Sequence, residues 1–523
     1  MRTTIFCIAY SLFLTGCQSP ATKKDEPPKG PNILLLSIDD LRPELGCYGN
    51  EEIRTPNIDA LASVSMTMLN THCQSAVCAP SRASTMLGYR PDSTRVWYLG
   101  DEFRKIDPDA VTMPQYFHKA GYHTVNIGKI FHNFMPDSIS WDEPDLRPYP
   151  YNTEPHRYRD GETYWYTAES KAIQEATRNK LLEKVDSPHE LYADGWNRGP
   201  AMEIADLPDS IYYDDKQTTL ALETLKRIKD KKQPFFMGLG YYRPHLPFVV
   251  PKKYWDLYPE GSVSSPPNPK LPENVPVMAA DSNYELRFYH NPHKIGRPED
   301  APLPEQYTDS LRRGYYASVS FIDAQVGRLI EGLKAMDLYD NTIIVLWGDH
   351  GWKLGDHNGW GKQTNFRIDT HTPLIIKPSN QKQGKKITAL SELVDIFPTV
   401  CDLAEVEKAG YFQGTSLAPL FENPDLPWKD AVFSQFRRRS RMSKDGQEYM
   451  GYSMQTGRYH YVEWYTWDNE TKTRGDFAAA ELYDHKTDLY ETENIAGYPE
   501  NTALVEKLSE KLAEGWRAAR PTL

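Results

Sequence analysis

Cysteine is scarce in this chain, with six among 523 residues at irregular spacing. That excludes a small disulfide-framed scaffold. A basic excess is missing too: 60 Lys and Arg stand against 72 Asp and Glu, a formal net charge of −12. This balance argues against general nucleic-acid binding, and no nucleic acid is expected as a partner. An anionic substrate stays open, because a local basic pocket outweighs a distant negative surface. Past the N-terminal segment there is no apolar run long enough to cross a bilayer, and no internal repeat. What is present is ordinary for a soluble globular protein, 39% hydrophobic and 25% charged, on a chain long enough to bury a large core. Aromatic residues reach 12%, with 33 Tyr and 12 Trp. Rings stack on sugar faces but also fill cores, so composition lifts carbohydrate contact only slightly.

Residues 1–17 read as an export signal. Arg2 gives a positive start, I-F-C-I-A-Y-S-L-F-L is apolar but too short to be a mature anchor, and Leu14-Thr15-Gly16-Cys17 follows. L-T-G-C resembles a bacterial lipobox, in which the cysteine is lipidated and becomes the new N-terminus. The alternative is an ordinary cleaved signal with a chance cysteine. Residues 18–31 are polar and Pro-rich, as a tether is. The expectation is an exported protein, periplasmic or a lipoprotein of the outer membrane or cell surface of a bacterium, touching membrane only through a lipid anchor. Once Cys7 leaves with the signal and Cys17 takes lipid, Cys47, Cys73 and Cys401 show no paired framework.

Short continuous apolar runs recur: P-N-I-L-L-L-S-I-D-D, H-T-V-N-I-G-K, P-F-F-M-G-L-G-Y and N-T-I-I-V-L-W-G-D-H. Runs of this kind fit strands buried on both faces of a parallel sheet. Amphipathic stretches such as M-P-Q-Y-F-H-K-A and Y-A-S-V-S-F-I-D-A-Q-V-G-R-L-I-E-G-L-K-A-M alternate with them. The pattern predicts an α/β sandwich over 32–424, with a large, mostly parallel sheet flanked by helices. Residues 135–209 and 251–305 are rich in Pro, Tyr and Asp and read as long loops. Past Pro427 the texture turns to alternating aromatic strands and a terminal helix, predicting a smaller subdomain over 425–523 with an antiparallel sheet.

The predicted strands end in Asp39-Asp40, Lys129, Tyr241 to His245, and Asp349-His350. Ligands of open α/β sheets bind at these carboxyl ends. Adjacent carboxylates repel and call for a cation. Three of them suit a hard divalent ion such as Ca²⁺ or Mg²⁺, whereas the histidine alone points to Zn²⁺ or Mn²⁺. Ligand counting leaves the metal open. In S-A-V-C-A-P-S-R, Cys78 precedes Pro80 and Arg82 at the start of a helix-like stretch, where backbone N–H groups and a cation converge on an anion. Taken singly, Lys129 and His132 in G-K-I-F-H, His245 in R-P-H-L-P-F and Lys362 in W-G-K-Q-T-N-F would each pass as structural or solvated.

The pentapeptide Cys78-Ala79-Pro80-Ser81-Arg82 resembles the C-x-P-x-R signature of type I sulfatases. D-D-L-R-P-E-L-G-C-Y-G-N, T-P-N-I-D-A-L-A, M-P-Q-Y-F-H-K-A-G-Y, G-K-I-F-H, R-P-H-L-P-F and D-H-G-W-K-L-G-D-H resemble blocks of that family in the same order, above all its iduronate 2-sulfatase branch. The resemblance implies an alkaline-phosphatase-like fold and oxidation of Cys78 to formylglycine by a maturation enzyme. The hydrated aldehyde would then be the nucleophile, which expels sulfate where a serine would stall as a stable ester. It implies one Ca²⁺ held by Asp39, Asp40, Asp349, His350 and the modified Cys78. Arg82 would hold the modified side chain and the charge beside the metal. Lys129 and Lys362 would bind sulfate oxygens, His132 would contact the nucleophile, and His245 would be the acid for the leaving oxygen, with His132 its rival. His357 and His371 are expected to be structural or to support the residues that touch the substrate. The substrate implied is a sulfated oligo- or polysaccharide, with algal polysaccharides such as ulvan or carrageenan as alternatives. A phosphonate or phosphate ester hydrolase of the same superfamily and a catalytically dead scaffold are the competing readings. The disulfide cysteines of the human-type members are absent, and the loops that would bind sugar match poorly.

Overall fold

The computed structural model describes residues 30–132, 135–148, 165–183, 199–231 and 233–522. The signal, the Cys17 lipobox and nearly all of the tether lie outside the described residues, as does much of 149–198. Among the described residues no helix is long and apolar enough to cross a membrane.

At the centre of an eight-stranded sheet lies the Asn32–Ile38 strand, wholly buried. Thr342–Gly348 and Phe235–Tyr241 flank it in parallel, and His123–Gly128 lies parallel beyond the latter. Leu34, Leu36 and Ile38 pack on one face with Met237, Leu239, Ile344 and Leu346, while Ile33 and Leu35 pack on the other with Phe236, Ile343, Val345 and Trp347. Because both faces are covered, alternation has no polar half, which is why these strands read as unbroken apolar runs. The helix Glu305–Ala335 covers the first face through Leu311, Tyr315, Val319, Ile322, Val326 and Leu329. Met113–Lys119 and Ile396–Leu403 cover the second. The sheet is mixed at one side, since His371–Lys377 runs antiparallel to Thr342–Gly348 and to Met66–His72.

One loop expectation fails. Ala168–Leu182 is a helix and Met202–Ala205 a strand paired with Phe248–Pro251, inside the stretch read as loops. The helical sequence A-E-S-K-A-I-Q-E-A-T-R-N-K-L-L is rich in strong helix formers, masked by its Pro- and Tyr-rich surroundings. The 251–305 stretch holds only Lys252–Trp255 and Leu286–Phe288 as short helical turns. Cys47, Cys73, Cys78 and Cys401 are free and buried.

The strand ends that form the site touch because of two glycines. Gly128 has φ +76, and a Cβ there would strike the Gln217 amide and the Gly240 carbonyl. A Cβ on Gly240 would land on the backbone of Lys129, whose N–H donates to Gly240 O at 3.0 Å. Two adjacent strands thereby turn Lys129 into the space above the sheet.

In the C-terminal part, Ala431–Arg438, Tyr449–Thr456, Tyr459–Asp468 and Thr473–Asp484 form a four-stranded antiparallel sheet, with the helix Thr502–Ala518 against it through Leu508. Its junction with the rest combines a buried apolar cluster, Val77, Met278 and Phe366 with Phe436, Val462 and Trp464, with buried polar contacts. Glu491 accepts from the Arg367 N–H at 2.9 Å and from His460 and His485 at 2.6 and 2.9 Å. Buried Arg438 donates to the carbonyls of Met278 and Gln363 at 2.9 and 3.0 Å.

Two expectations follow from these contacts. Burial opposes the Glu491 charge, but His460 and His485 outweigh it and hold the carboxyl well below its usual range. A depressed carboxyl stabilises the fold above its unfolded pKa, and that contribution is lost as pH falls through the folded value. Glu491→Gln will therefore lower Tm at pH 7, by the equivalent of roughly 2 kcal/mol for hydrogen bonds to a charged group. The gap to the wild type will narrow on acidification below about pH 4.5; a gap that stays constant over that range contradicts the assignment. Gly240→Ala presses a methyl onto backbone that has no rotamer to escape into, at a cost of about 1–3 kcal/mol. A thermal melt indistinguishable from the wild type would rule that contact out.

Candidate active site

The carboxyl ends of four parallel strands converge around the helix Cys78–Leu87, all ten of whose residues are buried. Asp39 and Asp40 follow the central strand, and Asp40 takes φ 61, a left-handed turn that Asp tolerates. Its N–H donates to Asp349 Oδ1 at 3.0 Å, locking two strand ends together. Ser81 Oγ donates to the Asp349 carbonyl at 2.5 Å, which ties in the helix.

Arg82 lies one turn after Cys78 and is fully buried. Its Nε donates to Asp349 Oδ2 at 2.9 Å and Nη2 to Asp39 Oδ1 at 3.1 Å. Nη1 donates to Ser37 Oγ at 2.7 Å, to the Ile130 carbonyl at 3.2 Å and to the Lys129 carbonyl. Lys129 pairs with Asp39, and Lys362 Nζ lies 2.6 Å from Asp40 Oδ1. Burial opposes the Asp39 charge, yet Lys129, His245 and Arg82 together hold it well below the usual carboxylate range. For Asp40 burial wins and its pKa rises, although Lys362 works against it.

Burial, with Asp39 beside it, pushes the Cys78 thiol far up, so as a cysteine it is a poor nucleophile. Its Sγ is 3.3 Å from His350 Nε2. His350 Nδ1 faces the Gly351 carbonyl at 3.0 Å, which fixes the proton there and turns the Nε2 lone pair inward. That lone pair looks toward Asp40 Oδ1 and Asp349 Oδ2 at 3.5 and 3.6 Å.

These groups fit a divalent cation. Donor atoms of Asp40, Cys78 and His350 lie within 4.8 Å of one another, as do those of Asp39, Cys78 and Asp349. Asp40 Oδ2 is buried without a hydrogen-bond partner, with His245 Nε2 at 3.9 Å, and so is an oxygen whose desolvation a cation would offset. The mixture of three carboxylates and one imidazole does not by itself choose Ca²⁺ over other divalent ions.

The two remaining histidines differ. His245 Nδ1 meets the Leu246 carbonyl at 2.6 Å, while Nε2 meets Glu285 Oε1 at 2.9 Å. Both nitrogens face acceptors, so the ring is suited to carry both protons; burial opposes this, but Glu285 and Asp40 raise its pKa. His132 is pushed the other way, well down, by burial and by Lys129, and its Nδ1 is buried without a partner.

All ten residues singled out from sequence meet at this one place. His357 and His371 do not join them: His357 Nε2 faces the Tyr490 carbonyl at 2.9 Å, and His371 faces the Leu69 carbonyl at 3.0 Å and stacks on His72. Sequence reading missed Ser37, Arg42 and Glu285. Arg42 stood within a quoted block and bonds the Trp352 carbonyl and Asp356 at 3.0 and 2.9 Å, bracing the loop after His350. Glu285 comes from the irregular 251–305 stretch, which carries no motif to flag it.

Comparison with known proteins agrees with this geometry. The sulfatase family profile matches residues 31–406, and that of the N-sulphoglucosamine sulphohydrolase C-terminal region matches 355–518. The iduronate 2-sulfatase of Mus musculus is 32% identical, over 91% of this chain and 93% of its own length. Among solved structures, the phosphonate monoester hydrolase of Agrobacterium radiobacter superposes with TM-score 0.66 at 21% identity, covering 93% of this chain and 95% of that one. A structure in complex with its substrate D-glucosamine-2-N,6-O-disulfate superposes with TM-score 0.65 at 20% identity, covering 94% and 99%. At such identities the superpositions establish the alkaline-phosphatase-like fold alone. With the family profile over most of the fold and a relative at 32% identity along nearly the whole chain, the protein belongs to the type I sulfatase family and is a sulfuric ester hydrolase.

Proposed function

We propose that this sulfatase removes sulfate from a sulfated carbohydrate through a formylglycine made from Cys78 by a maturation enzyme, with Ca²⁺ as its metal. The observation that carries the reading is Cys78 itself. It is a buried, unreactive thiol at the first turn of a buried helix, surrounded by every charge that sulfate transfer needs. When present, the formylglycine hydrate and the metal supply the nucleophilic oxygen and the positive charge that polarises it. Asp39, Asp40, Asp349 and His350 would hold the metal.

The chain's own side chains do the rest. Arg82 helps keep Asp39 ionised and holds Asp39 and Asp349 at a fixed spacing. Lys129 and Lys362 offer two ammonium groups to the oxygens of the transferring sulfate, where charge builds up. His245 holds a proton for the leaving sugar oxygen. His132 is kept neutral by its surroundings and suits a contact to the nucleophile better than acid work.

The carbohydrate substrate rests on the likeness to iduronate 2-sulfatase. A second reading, phosphonate or phosphate ester hydrolysis, draws on the fold shared with the phosphonate monoester hydrolase. Export as a lipid-anchored protein rests on residues 1–17, and metabolic labelling with a radioactive fatty acid reads it, with Cys17→Ser unlabelled.

Cys78→Ala will abolish turnover of 4-nitrophenyl sulfate with Tm nearly unchanged, and full residual activity would end the assignment. Peptide mass spectrometry of active protein will find residue 78 as an aldehyde, lighter than the cysteine; its hydrate has the same nominal mass as cysteine and is told from it by trapping the aldehyde with a hydrazide. Chelation with EDTA will remove activity and lower Tm, because a ligand bound only to the native state stabilises it by mass action. Adding back Ca²⁺, Mg²⁺, Mn²⁺ or Zn²⁺ separately shows which restores both; Ca²⁺ is expected. A panel of defined sulfated disaccharides, beside 4-nitrophenyl phosphate and an aryl phosphonate, assigns the substrate. Faster turnover of the phosphorus esters would overturn the choice of sulfate.

A further inference from the structure

Glu285 is absent from every motif, yet it touches two of the groups that face the substrate. Its Oε1 lies 2.9 Å from His245 Nε2 and its Oε2 3.2 Å from Lys362 Nζ. The three residues come from three separate loops. His245 lies between the strands Phe235–Tyr241 and Phe248–Pro251. Lys362 follows the strand Thr342–Gly348, and Glu285 precedes the turn Leu286–Phe288. Each partner is anchored elsewhere too: His245 Nδ1 on the Leu246 carbonyl, and Lys362 on Asp40 and over the Trp352 ring at 4.9 Å. Next to Glu285 in the chain, the Tyr284 ring stands edge-on to Phe288 at 4.3 Å. Asp40 also lies between the two, with Oδ1 2.6 Å from Lys362 Nζ but Oδ2 3.9 Å from His245 Nε2, so Glu285 is the carboxylate that comes within 3.2 Å of both the imidazole and the ammonium.

We propose that Glu285 is a positioning residue that spans His245 and Lys362 and sets their separation, so that one ester group meets both at once. The proposal rests on the reading of His245 as the leaving-group acid. In that step sulfur passes to the attacking oxygen, and the bond from sulfur to the sugar oxygen breaks. Its electron pair goes to the sugar oxygen, which leaves with the proton from His245 Nε2. Glu285 gains and loses nothing. Pivoting on its Nδ1 bond, the ring turns Nε2 from Oε1 to the sugar oxygen while Oε2 keeps Lys362 on the sulfate side.

An ion pair that served only the fold would, when broken, slow every substrate alike. Positioning of an acid makes the loss depend on the leaving group. An alkoxide leaving from a sugar needs the proton, and a nitrophenoxide scarcely does. The test compares kcat of the mature, formylglycine-bearing enzyme with that of Glu285→Gln, Glu285→Asp and His245→Ala. The substrates are 4-nitrophenyl sulfate and the sulfated disaccharide that the wild type cleaves fastest. Glu285→Gln is expected to lose about 10–100-fold on the disaccharide and about threefold or less on the aryl ester, a fraction of what a general acid contributes. Glu285→Asp, which keeps the charge but shortens the reach, should fall between Glu285→Gln and the wild type, and carries the comparison if Glu285→Gln does not fold. If His245→Ala shows the selective loss but Glu285→Gln loses equally on both substrates or not at all, the positioning role is overturned and the acid assignment stands. If His245→Ala itself shows no selectivity, the acid assignment fails, and the role of Glu285 falls with it.

Discussion

The guanidinium of Arg82 is the part on which the rest of the site hangs. It is buried completely, and it bonds two carboxylates, a serine hydroxyl and two backbone carbonyls. Those partners sit at the ends of three strands, so one side chain from the helix of Cys78 sets where all three ends stop. Burying such a cation is expensive, and the cost is met only because its donors are used on acceptors that are themselves fixed. Lysine would supply the charge but not the planar fork that reaches Asp39 and Asp349 together.

Around that point the charges interlock. Asp39 stays ionised under three cationic neighbours, while the adjacent Asp40 is held less firmly by Lys362. The two neighbouring carboxylates are pushed in opposite directions because Lys129 and Arg82 lie on Asp39 while burial and Asp39 itself act on Asp40. The lone pair of His350 and the unpartnered oxygen of Asp40 point into the same space. A divalent ion there satisfies all of them at once.

The strands of the parallel sheet and the polar residues at their ends were legible in sequence, because burial on both faces leaves an unbroken apolar run that stops at the first charged residue. Ile33 to Asp40 and Ile343 to His350 are such cases. The antiparallel turn of His371–Lys377 was not legible, since direction depends on the connection and not on composition. The helix Ala168–Leu182 was missed because neighbouring Pro and Tyr drowned a local helical preference. Among site residues, those on strand ends or in the Cys78 helix could be found by position. Glu285 could not, since a carboxylate on a loop gains its meaning only from what the fold brings to it.

The two histidines show how environment, not residue type, assigns a role. His132 and His245 have the same intrinsic basicity, and both sit half-buried near Asp39 and Lys362. For His132 burial and then Lys129 outweigh the opposing pull of Asp39, so the ring is driven toward the neutral form. His245 has a carbonyl on one nitrogen and Glu285 on the other, which leaves no acceptor role for either nitrogen and favours the charged form. A single pocket thus biases one imidazole toward the neutral form and the other toward the charged form, and the acid role proposed for His245 draws on that difference.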